Sequence, residues 1–393
     1  MFFMRGTKLN RKHIFIYETF RPLLKIYLWM FFDFKCEKVK KRKENYIVLA
    51  NHATDYDPLM VACSFRKQMY FVASEHIARW GWLFTLVDFL VAPIMRYKGT
   101  VAASTAIEIL KKIKAGHNVC VFAEGARTWD GMPSPILPST AKLIKKAGCG
   151  LYTYKLTGGY FASPMWAGSG TRRGPVCGAP VRYYSKEELQ EMTADEVYKA
   201  IVNDLYEDAY ARQIENPKPY KGKNLAENLE SLMFICPACG KKDVFESSGD
   251  KVYCKECGLT YTYDEYGMLH GGKFTTVKEF SDWQKEQIHT DVLRDVVYSS
   301  KDGILSTVKD HIEEPVTTGG VSISLQGFKC GEACFELSHI SEMAMHGQRA
   351  LVFTADKKYY ELIPSREANA LKFYLYYLEW QKIQEQKSNQ VTE

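Results

Sequence analysis

Residues 46–210 alternate short, mainly apolar runs with stretches of helical periodicity, and this alternation restricts the fold more than any other feature. The apolar runs are YIVLA, MYFVAS, APIMRY, NVCVFA and LYTYKL. Between them, ASTAIEILKKIKAG places Ala106, Ile107, Leu110 and Ile113 on one helix face. Strands that alternate with helices predict an α/β domain, with a mixed sheet flanked by helices and polar sites on the turns that follow strands.

The remaining sequence suggests further segments on either side of this domain. We expect a basic and aromatic arm, the α/β domain, a polar linker that contains IENPKPYKGKN, a small cysteine module, and a helix followed by a β-rich domain that a last helix closes. The expected boundaries are, in that order, 1–45, 46–213, 214–232, 233–265 and 266–393.

The basic excess of the chain lies in the arm. Residues 1–45 hold twelve Lys or Arg and four Asp or Glu, a local net charge of +8, whereas the whole chain carries +6. The run IYLWMFFDF is far shorter than the roughly 20 apolar residues that span a bilayer. Next to the basic stretch KCEKVKKRKEN, it favours peripheral binding to an anionic membrane surface, on the cytoplasmic face. The apolar side chains expected to contact lipid are Leu24, Ile26, Leu28, Trp29, Phe31 and Phe32.

The alternative for the arm is a buried first helix with a solvated basic tail. The eleven cysteines do not form a disulfide framework, which indicates a reducing compartment.

The stretch NHATDYDP follows the first apolar run and contains a candidate base. An imidazole titrates near neutrality, so His52 can take a proton, and Asp57 can orient it if the histidine lies on a turn. Asp57 precedes Pro58, a residue favoured at the start of a helix, so we also expect Asp57 to cap a helix. Helix capping alone would explain an aspartate at position 57. Capping and orientation of His52 are compatible roles.

Two other strand ends carry basic residues. In VCVFAEGART, Gly125 permits a tight turn and Arg127 would project from the same sheet end as His52, with a guanidinium fork that matches a phosphate. In APIMRYKGT, Arg96 ends a strand and Lys98 follows it. The alternative for EGAR is an ion pair of glutamate and arginine on a surface loop.

Together these elements resemble the glycerolipid acyltransferases, the 1-acyl-glycerol-3-phosphate acyltransferases and their relatives, over about residues 46–180. Asn51, His52 and Asp57 match the family motif NHxxxxD. FAEGAR matches FPEGTR, with alanine in place of the proline and of the threonine. Arg96 fits the basic position of the motif between them, without the glycine that usually precedes it.

The resemblance implies an enzyme that moves an acyl group from a thioester, acyl-CoA or acyl carrier protein, to a lysophospholipid such as 1-acyl-glycerol-3-phosphate. His52 would be the general base and Asp57 its orienting partner, and no organic cofactor is expected. Arg127 and Arg96 would hold the phosphate, and Glu124 would orient Arg127 or bind a hydroxyl. The residues expected to bind substrate are Asn51, Arg96, Glu124, Gly125 and Arg127.

Two other functions remain open from the sequence. The altered proline and threonine positions are compatible with a lipid-binding or scaffold protein built on a catalytically altered acyltransferase domain. A hydrolase that uses the same histidine to activate water is disfavoured, because neither a metal cluster nor a nucleophile elbow accompanies the motif.

Two CxxC pairs, CPACG and CKECG, form the cysteine module. Each pair is followed by a glycine, which lets the backbone turn around a sulfur, and two matched pairs are typical of a structural zinc ribbon. The alternative is a redox dithiol. No stripe of basic and aromatic residues accompanies the module, so we do not expect a nucleic-acid partner. The expected zinc ligands are Cys236, Cys239, Cys254 and Cys257.

The C-terminal region loosely resembles a pleckstrin-homology-like domain. Its pattern consists of short strands, such as GVSISLQG and ALVFTAD, followed by a helix from Glu367 to about Gln384. Cys330 and Cys334 in CGEAC are spaced unlike a CxxC pair, so we assign them to the strands.

Overall fold

The chain divides into two units, each with its own hydrophobic core. The computed structural model describes residues 11–74, 77, 82–96, 103–168, 170–309, 312–365 and 368–392. The first unit comprises Met1–Met165 and Ser169–Gly222, and the second comprises Trp166–Gly168 and Lys223–Glu393.

The first unit is a layered α/β domain. Its helices are α1 (Arg11–Phe32), α2 (Asp57–Ser64), α3 (Trp82–Val91), α4 (Ala103–Lys114), α5 (Ser139–Ala147), α6 (Gly159–Ala162), α7 (Lys186–Glu191), α8 (Ala194–Leu205) and α9 (Ala209–Glu215). Its strands are β1 (Lys35–Cys36), β2 (Tyr46–Ala50), β3 (Met69–Ser74), β4 (Ile94–Arg96), β5 (Asn118–Phe122), β6 (Gly150–Thr157) and β7 (Cys177–Tyr184).

These strands form one mixed sheet in the order β1-β7-β6-β2-β5-β3-β4. Strands β6, β2, β5, β3 and β4 run parallel, and β7 is antiparallel to β6. Because β2 lies near the centre and is fully buried, its whole length is apolar. The mixed sheet flanked by helices is confirmed, and the carboxyl ends of β2, β5 and β4 share one edge, where a site can form.

Helix α4 forms where the periodicity predicts it, but its buried face is rotated from the expected one. Ile109 and Ile113 enter the core, whereas the Ile107 side chain is 51% exposed. The expectation for Ile107 is therefore wrong. Residues 105, 109 and 113 are spaced by four and lie on the face that meets the sheet.

Helix α1 buries one face and exposes an apolar one. Leu28 and Phe32 are fully buried in the protein, so the expectation that they contact lipid is wrong for these two. The Tyr17 hydroxyl donates to the Ala62 and Phe65 carbonyls and ties α1 to α2. None of the described helices is long and apolar enough to cross a bilayer. The large apolar residues exposed on α1 are Phe15, Phe20, Leu23, Ile26, Tyr27, Trp29, Met30 and Phe31.

The second unit contains two antiparallel sheets. Strands β8 (Phe245–Ser248), β9 (Lys251–Cys254), β10 (Thr260–Tyr263) and β11 (Leu269–His270) form a small sheet, and helix α10 (Val277–Leu293) follows. The larger sheet has the order β15-β14-β13-β12-β18-β17-β16. Its strands are β12 (Tyr298–Lys309), β13 (Ile312–Ser324), β14 (Gly327–Cys330), β15 (Ala333–Phe335), β16 (Ile340–His346), β17 (Ala350–Ala355) and β18 (Lys358–Pro364).

Helix α11 (Leu371–Thr392) closes the chain and packs Phe373, Tyr376 and Tyr377 into the core of the larger sheet. The β-rich domain closed by a helix is confirmed, although the helix begins four residues later and ends eight residues later than expected. The likeness to a pleckstrin-homology domain stays a prediction. The sequence pattern does not single out β12, because its polar residues, such as Lys301 and Asp302, interrupt the apolar alternation.

Candidate active site

The turn after β2 holds His52 against Asp57. His52 Nδ1 lies 2.8 Å from Asp57 Oδ2, and the Asp57 side chain is completely buried. The same carboxylate accepts hydrogen bonds from the Ala53 and Thr54 amides and from the Thr54 hydroxyl. Four donors therefore converge on one buried carboxylate and fix its position.

Asp57 does not cap helix α2. It is the first residue of the helix, Tyr56 precedes it as the cap, and no side chain forms a capping hydrogen bond there. The carboxylate instead turns back toward residues 53 and 54, which lie before the helix. The expected capping role is wrong, because the imidazole and the backbone of the preceding turn already occupy the carboxylate.

The imidazole of His52 is held on two sides. Its ring stacks on Phe122, with centroids 4.4 Å apart and planes at 22°. With Nδ1 donating to Asp57, Nε2 keeps the lone pair that a general base needs. The His52 side chain is 19% exposed, so it remains accessible.

Asn51 fixes the strand end from which His52 departs. Its amide nitrogen donates to the Leu156 carbonyl at 2.8 Å, and its amide oxygen accepts from the Leu156 amide at 2.7 Å. This pair of bonds joins the ends of β2 and β6. Asn51 therefore acts as a positioning residue here, and its expected contact with substrate stays a prediction.

Glu124, after β5, binds the backbone of the His52 turn. One carboxylate oxygen accepts from the His52 amide at 3.1 Å and the other accepts from the Ser134 amide at 2.8 Å. Burial raises the pKa of Glu124 from 4.5 to about 7 and outweighs the two hydrogen bonds, which lower it. Glu124 can therefore exchange a proton near neutral pH.

Arg127 lies beside the His52 turn, and its guanidinium is bound on three sides. Nε donates to the Ala53 carbonyl at 3.1 Å and one terminal nitrogen donates to the Ser163 carbonyl at 2.9 Å. The other terminal nitrogen lies 2.6 Å from Asp55 Oδ2. None of these three hydrogen bonds connects Arg127 to Glu124, so orientation of Arg127 by Glu124 has no direct contact to support it. Binding of phosphate by Arg127 stays a prediction.

Arg96 reaches the same edge of the sheet from β4. A side chain at Gly125 would place its Cβ 2.9 Å from a terminal nitrogen of Arg96, so the guanidinium packs against the glycine. Gly125 also has φ +70°, which favours glycine. Arg96 makes no hydrogen bond or ion pair with the part of the chain that the structure describes. Lys98 lies outside the described residues.

A cleft open to solvent adjoins Asn51, His52 and Glu124. Its walls include His52, Glu124, Thr128, Gly159 and Glu207. Glu207 is neutralised by Arg212, whose guanidinium meets both carboxylate oxygens at 2.7 Å. The cleft therefore places a histidine and a carboxyl group with a raised pKa side by side at a surface that solvent reaches.

Three contributing residues escape sequence reasoning. Thr54 donates its hydroxyl to Asp57, Phe122 supports the imidazole, and Asp55 pairs with Arg127. Only Thr54 has a local signal, since a threonine three residues before an aspartate can hydrogen-bond to it. Phe122 and Asp55 depend on which strand ends meet.

The four cysteines of the second unit form a candidate metal centre. Their Sγ atoms lie within 4.8 Å of one another, with Cys236 and Cys257 at 3.6 Å and Cys239 and Cys254 at 3.8 Å. Zinc bound at about 2.3 Å by four sulfurs requires separations of about 3.8 Å, so the residues fit the ion.

The two halves of this centre have the same local geometry. Gly240 has φ +71° and donates its amide to the Cys236 carbonyl, and Gly258 has φ +77° and donates to the Cys254 carbonyl. The expected tight turn after each pair is confirmed. Four thiolates would complete a tetrahedral shell and leave no open position for catalysis.

Comparison with known proteins agrees with the motifs. Residues 31–157 match the Acyltransferase family model, and no curated protein matches the sequence. The crystal structure of the 1-acyl-sn-glycerophosphate (LPA) acyltransferase PlsC from Thermotoga maritima is similar, with 18% sequence identity and a TM-score of 0.41. The match covers 52% of this chain and 80% of that one. The segment that matches the Acyltransferase family model includes His52, Asp57, Glu124 and Arg127.

Proposed function

We propose that this protein transfers an acyl group from a thioester donor to the hydroxyl of a lysophospholipid, with His52 as general base. The observation that carries the proposal is the 2.8 Å contact between His52 Nδ1 and the buried Asp57 carboxylate, inside a domain that matches the Acyltransferase family. This contact leaves Nε2 of an accessible imidazole to face the substrate. It also gives the imidazolium a fixed counter-charge during the reaction.

The reaction needs no enzyme nucleophile. The acceptor hydroxyl oxygen attacks the thioester carbonyl carbon while His52 Nε2 takes the hydroxyl proton. The tetrahedral intermediate then expels the thiolate, the C–S bond breaks, and His52 returns the proton to the sulfur. An ester and a free thiol result, so atoms and charge balance, and His52 ends in its starting form.

The acceptor would lie in the cleft beside Glu124. A partly protonated carboxyl group can donate to or accept from a glycerol hydroxyl, and Arg96, which has no partner among the described residues, offers a guanidinium for an anionic headgroup. The candidate donors are acyl-CoA and acyl carrier protein, because both present an acyl thioester.

We further propose that the protein binds peripherally to the cytoplasmic face of an anionic membrane. The exposed apolar face of α1 supports this location, together with the adjacent basic residues Lys38, Lys40, Lys41 and Lys43, which are exposed. Helix α1 also ends beside the site, since the Phe32 ring packs 4.6 Å from that of Tyr56, next to Asp57. A lipid acceptor could then reach His52 from the bilayer.

The second unit would hold one structural zinc ion on the four cysteines. Zinc would supply folding free energy to the ribbon and take no part in acyl transfer. Thiolates survive in a reducing compartment, which agrees with the proposed cytoplasmic location.

The test is product analysis with purified protein. Wild type and His52→Ala are incubated with mixed micelles of several lysophospholipids and either acyl-CoA or acyl carrier protein, and the lipids are identified by mass spectrometry. We expect a diacyl product with wild type and at least a 1000-fold lower rate with His52→Ala, with unchanged circular dichroism. Equal rates for the two proteins would refute the base. Lipid binding without any product would favour the lipid-binding alternative.

A further inference from the structure

Arg127 has little capacity left for a ligand. A guanidinium has five N–H donors, and three of its donations go to the Ala53 carbonyl, the Ser163 carbonyl and the Asp55 carboxylate. Only 9% of the Arg127 side chain is exposed. The two backbone carbonyls fix the position of the Arg127 side chain. The Asp55 carboxylate offsets the positive charge of the guanidinium.

Asp55 lies at the rim of the site and differs in kind from Asp57. Its side chain is 76% exposed, and its one described contact is the 2.6 Å ion pair with Arg127. Asp57 is buried and holds His52 and the turn. The Asp55 carboxylate thus occupies the position on Arg127 that an anionic ligand group would take, since carboxylate and phosphate oxygens bind a guanidinium in the same way.

Arg96 is the contrasting cation. It packs against Gly125, next to the cleft residue Glu124, and has no hydrogen-bonded partner among the described residues. Of the two guanidinium groups that the described residues bring to this edge of the sheet, Arg127 is paired with Asp55 and Arg96 has no described partner. The exposed Asp55 carboxylate repels a ligand with two negative charges more strongly than a ligand with one.

We infer that Asp55 determines acceptor specificity and selects lysophospholipids whose phosphate is a diester over those whose phosphate is a monoester. A phosphodiester carries one negative charge at neutral pH, whereas a phosphomonoester carries between one and a half and two, roughly. The second charge of a monoester would have to displace Asp55 from Arg127 or remain unpaired beside it. This inference rests on the proposed function and names the acceptor class within it.

The test compares two acceptors with the same acyl chain in the same neutral detergent micelles. Lysophosphatidylglycerol is the diester and lysophosphatidate is the monoester. The ratio of their kcat/KM values is measured for wild type and for Asp55→Asn, which keeps a hydrogen-bond acceptor but removes the charge. Asp195→Asn is the matched control, because Asp195 also forms an exposed ion pair, with Lys199 at 2.7 Å, outside the cleft walls.

We expect wild type to prefer the diester, and Asp55→Asn to shift the ratio toward the monoester by five- to tenfold. Asp55→Ser removes the charge without introducing a side-chain amide, and it should shift the ratio in the same direction. Asp195→Asn should leave the ratio unchanged. Arg96→Gln should reduce the use of both acceptors.

Two results would overturn the inference while leaving the proposed function intact. One is a wild-type enzyme that prefers the monoester, and the other is a ratio that Asp55→Asn and Asp55→Ser leave unchanged while transfer continues. Absence of transfer to either acceptor, from acyl-CoA and acyl carrier protein alike, would overturn the proposed function and this inference with it.

Discussion

The cysteine centre and the His52 site are built in opposite ways. The four cysteines lie within 22 residues of sequence, and each pair is shaped by its own glycine turn. The His52 site also begins with a local contact, between residues 52 and 57, but its other members arrive from β4 and β5. A local motif defines its geometry by spacing alone, whereas an assembled site depends on which strands are neighbours.

The difference has a consequence for stability and activity. Loss of a metal ligand removes an interaction that holds a small sheet together, and its effect should stay in the second unit. Loss of a group at the His52 site removes charge or a proton acceptor from a rigid framework, and its effect should appear in the rate. We expect the two kinds of effect to separate, with changes in free energy that are largest at the cysteine centre and smallest at the exposed face of α1.

Removal of zinc should have the largest effect, and it should be confined to the second unit. Structural zinc contributes on the order of 10 kcal/mol in small modules, so Cys254→Ser should unfold residues 233–265. Hydrogen exchange should show lost protection there, while acyl transfer to a soluble short-chain acceptor persists. Cys330→Ser, at a buried cysteine outside the centre, is the control. Zinc-free wild type with a protected ribbon would contradict this prediction.

Asp57→Asn should lower kcat by 100- to 10,000-fold, which corresponds to about 3–5 kcal/mol in the barrier. An amide oxygen can still accept from His52 and the backbone, so the fold should remain while the negative charge opposite the imidazolium disappears. The measurement is kcat together with the thermal midpoint. A variant with wild-type kcat would make Asp57 a purely structural residue, and the His52 site would then be no more than a turn.

Glu124 should make the first unit less stable as pH rises. The folded protein keeps the Glu124 proton up to about pH 7, whereas an unfolded chain releases it near pH 4.5. The free energy of unfolding should therefore fall between pH 4.5 and 7, by about 2–3 kcal/mol from this group. Urea unfolding at pH 5 and pH 7.5 should show a smaller difference for Glu124→Gln than for wild type. Glu215→Gln, at an exposed site, should behave like wild type.

The smallest expected effect concerns the membrane face of α1. Ile26→Ser with Trp29→Ser changes two exposed side chains and spares the buried Leu28 and Phe32. It should weaken sedimentation with anionic vesicles without loss of fold. Lys40→Gln with Lys41→Gln should weaken it by about 1 kcal/mol for each charge, less at high salt.

The matched control for the apolar pair is Ile214→Ser, an exposed apolar residue on α9. If the Ile26 and Trp29 variant sediments as fully as wild type, α1 is not the membrane contact. Deletion of the whole arm would be a poorer test, because it also removes Leu28, Phe32 and Phe34 from the core.

Sequence periodicity predicted strands β2 to β6 of the first unit because each strand is short, mainly apolar and bounded by polar turns. It failed for the orientation of α4, where Ile107 and Ile109 are both apolar and only the packing selects Ile109. It also missed β12, whose residues gain their pairing from β13 and β18 rather than from their own pattern. Non-local pairing of this kind leaves little trace in a single strand.

By itself, the sequence determined which four cysteines cluster, the His52 and Asp57 pair and the general class of the fold, because these depend on spacing within a few residues. Tertiary structure alone decided that Asp57 binds the preceding turn instead of capping its helix, and that Arg127 is paired with Asp55 while Arg96 packs against Gly125. The physical reason is that each of these side chains bonds to whichever strand ends and buried hydrogen-bond donors lie next to it. Those neighbours are fixed only when the sheet has assembled.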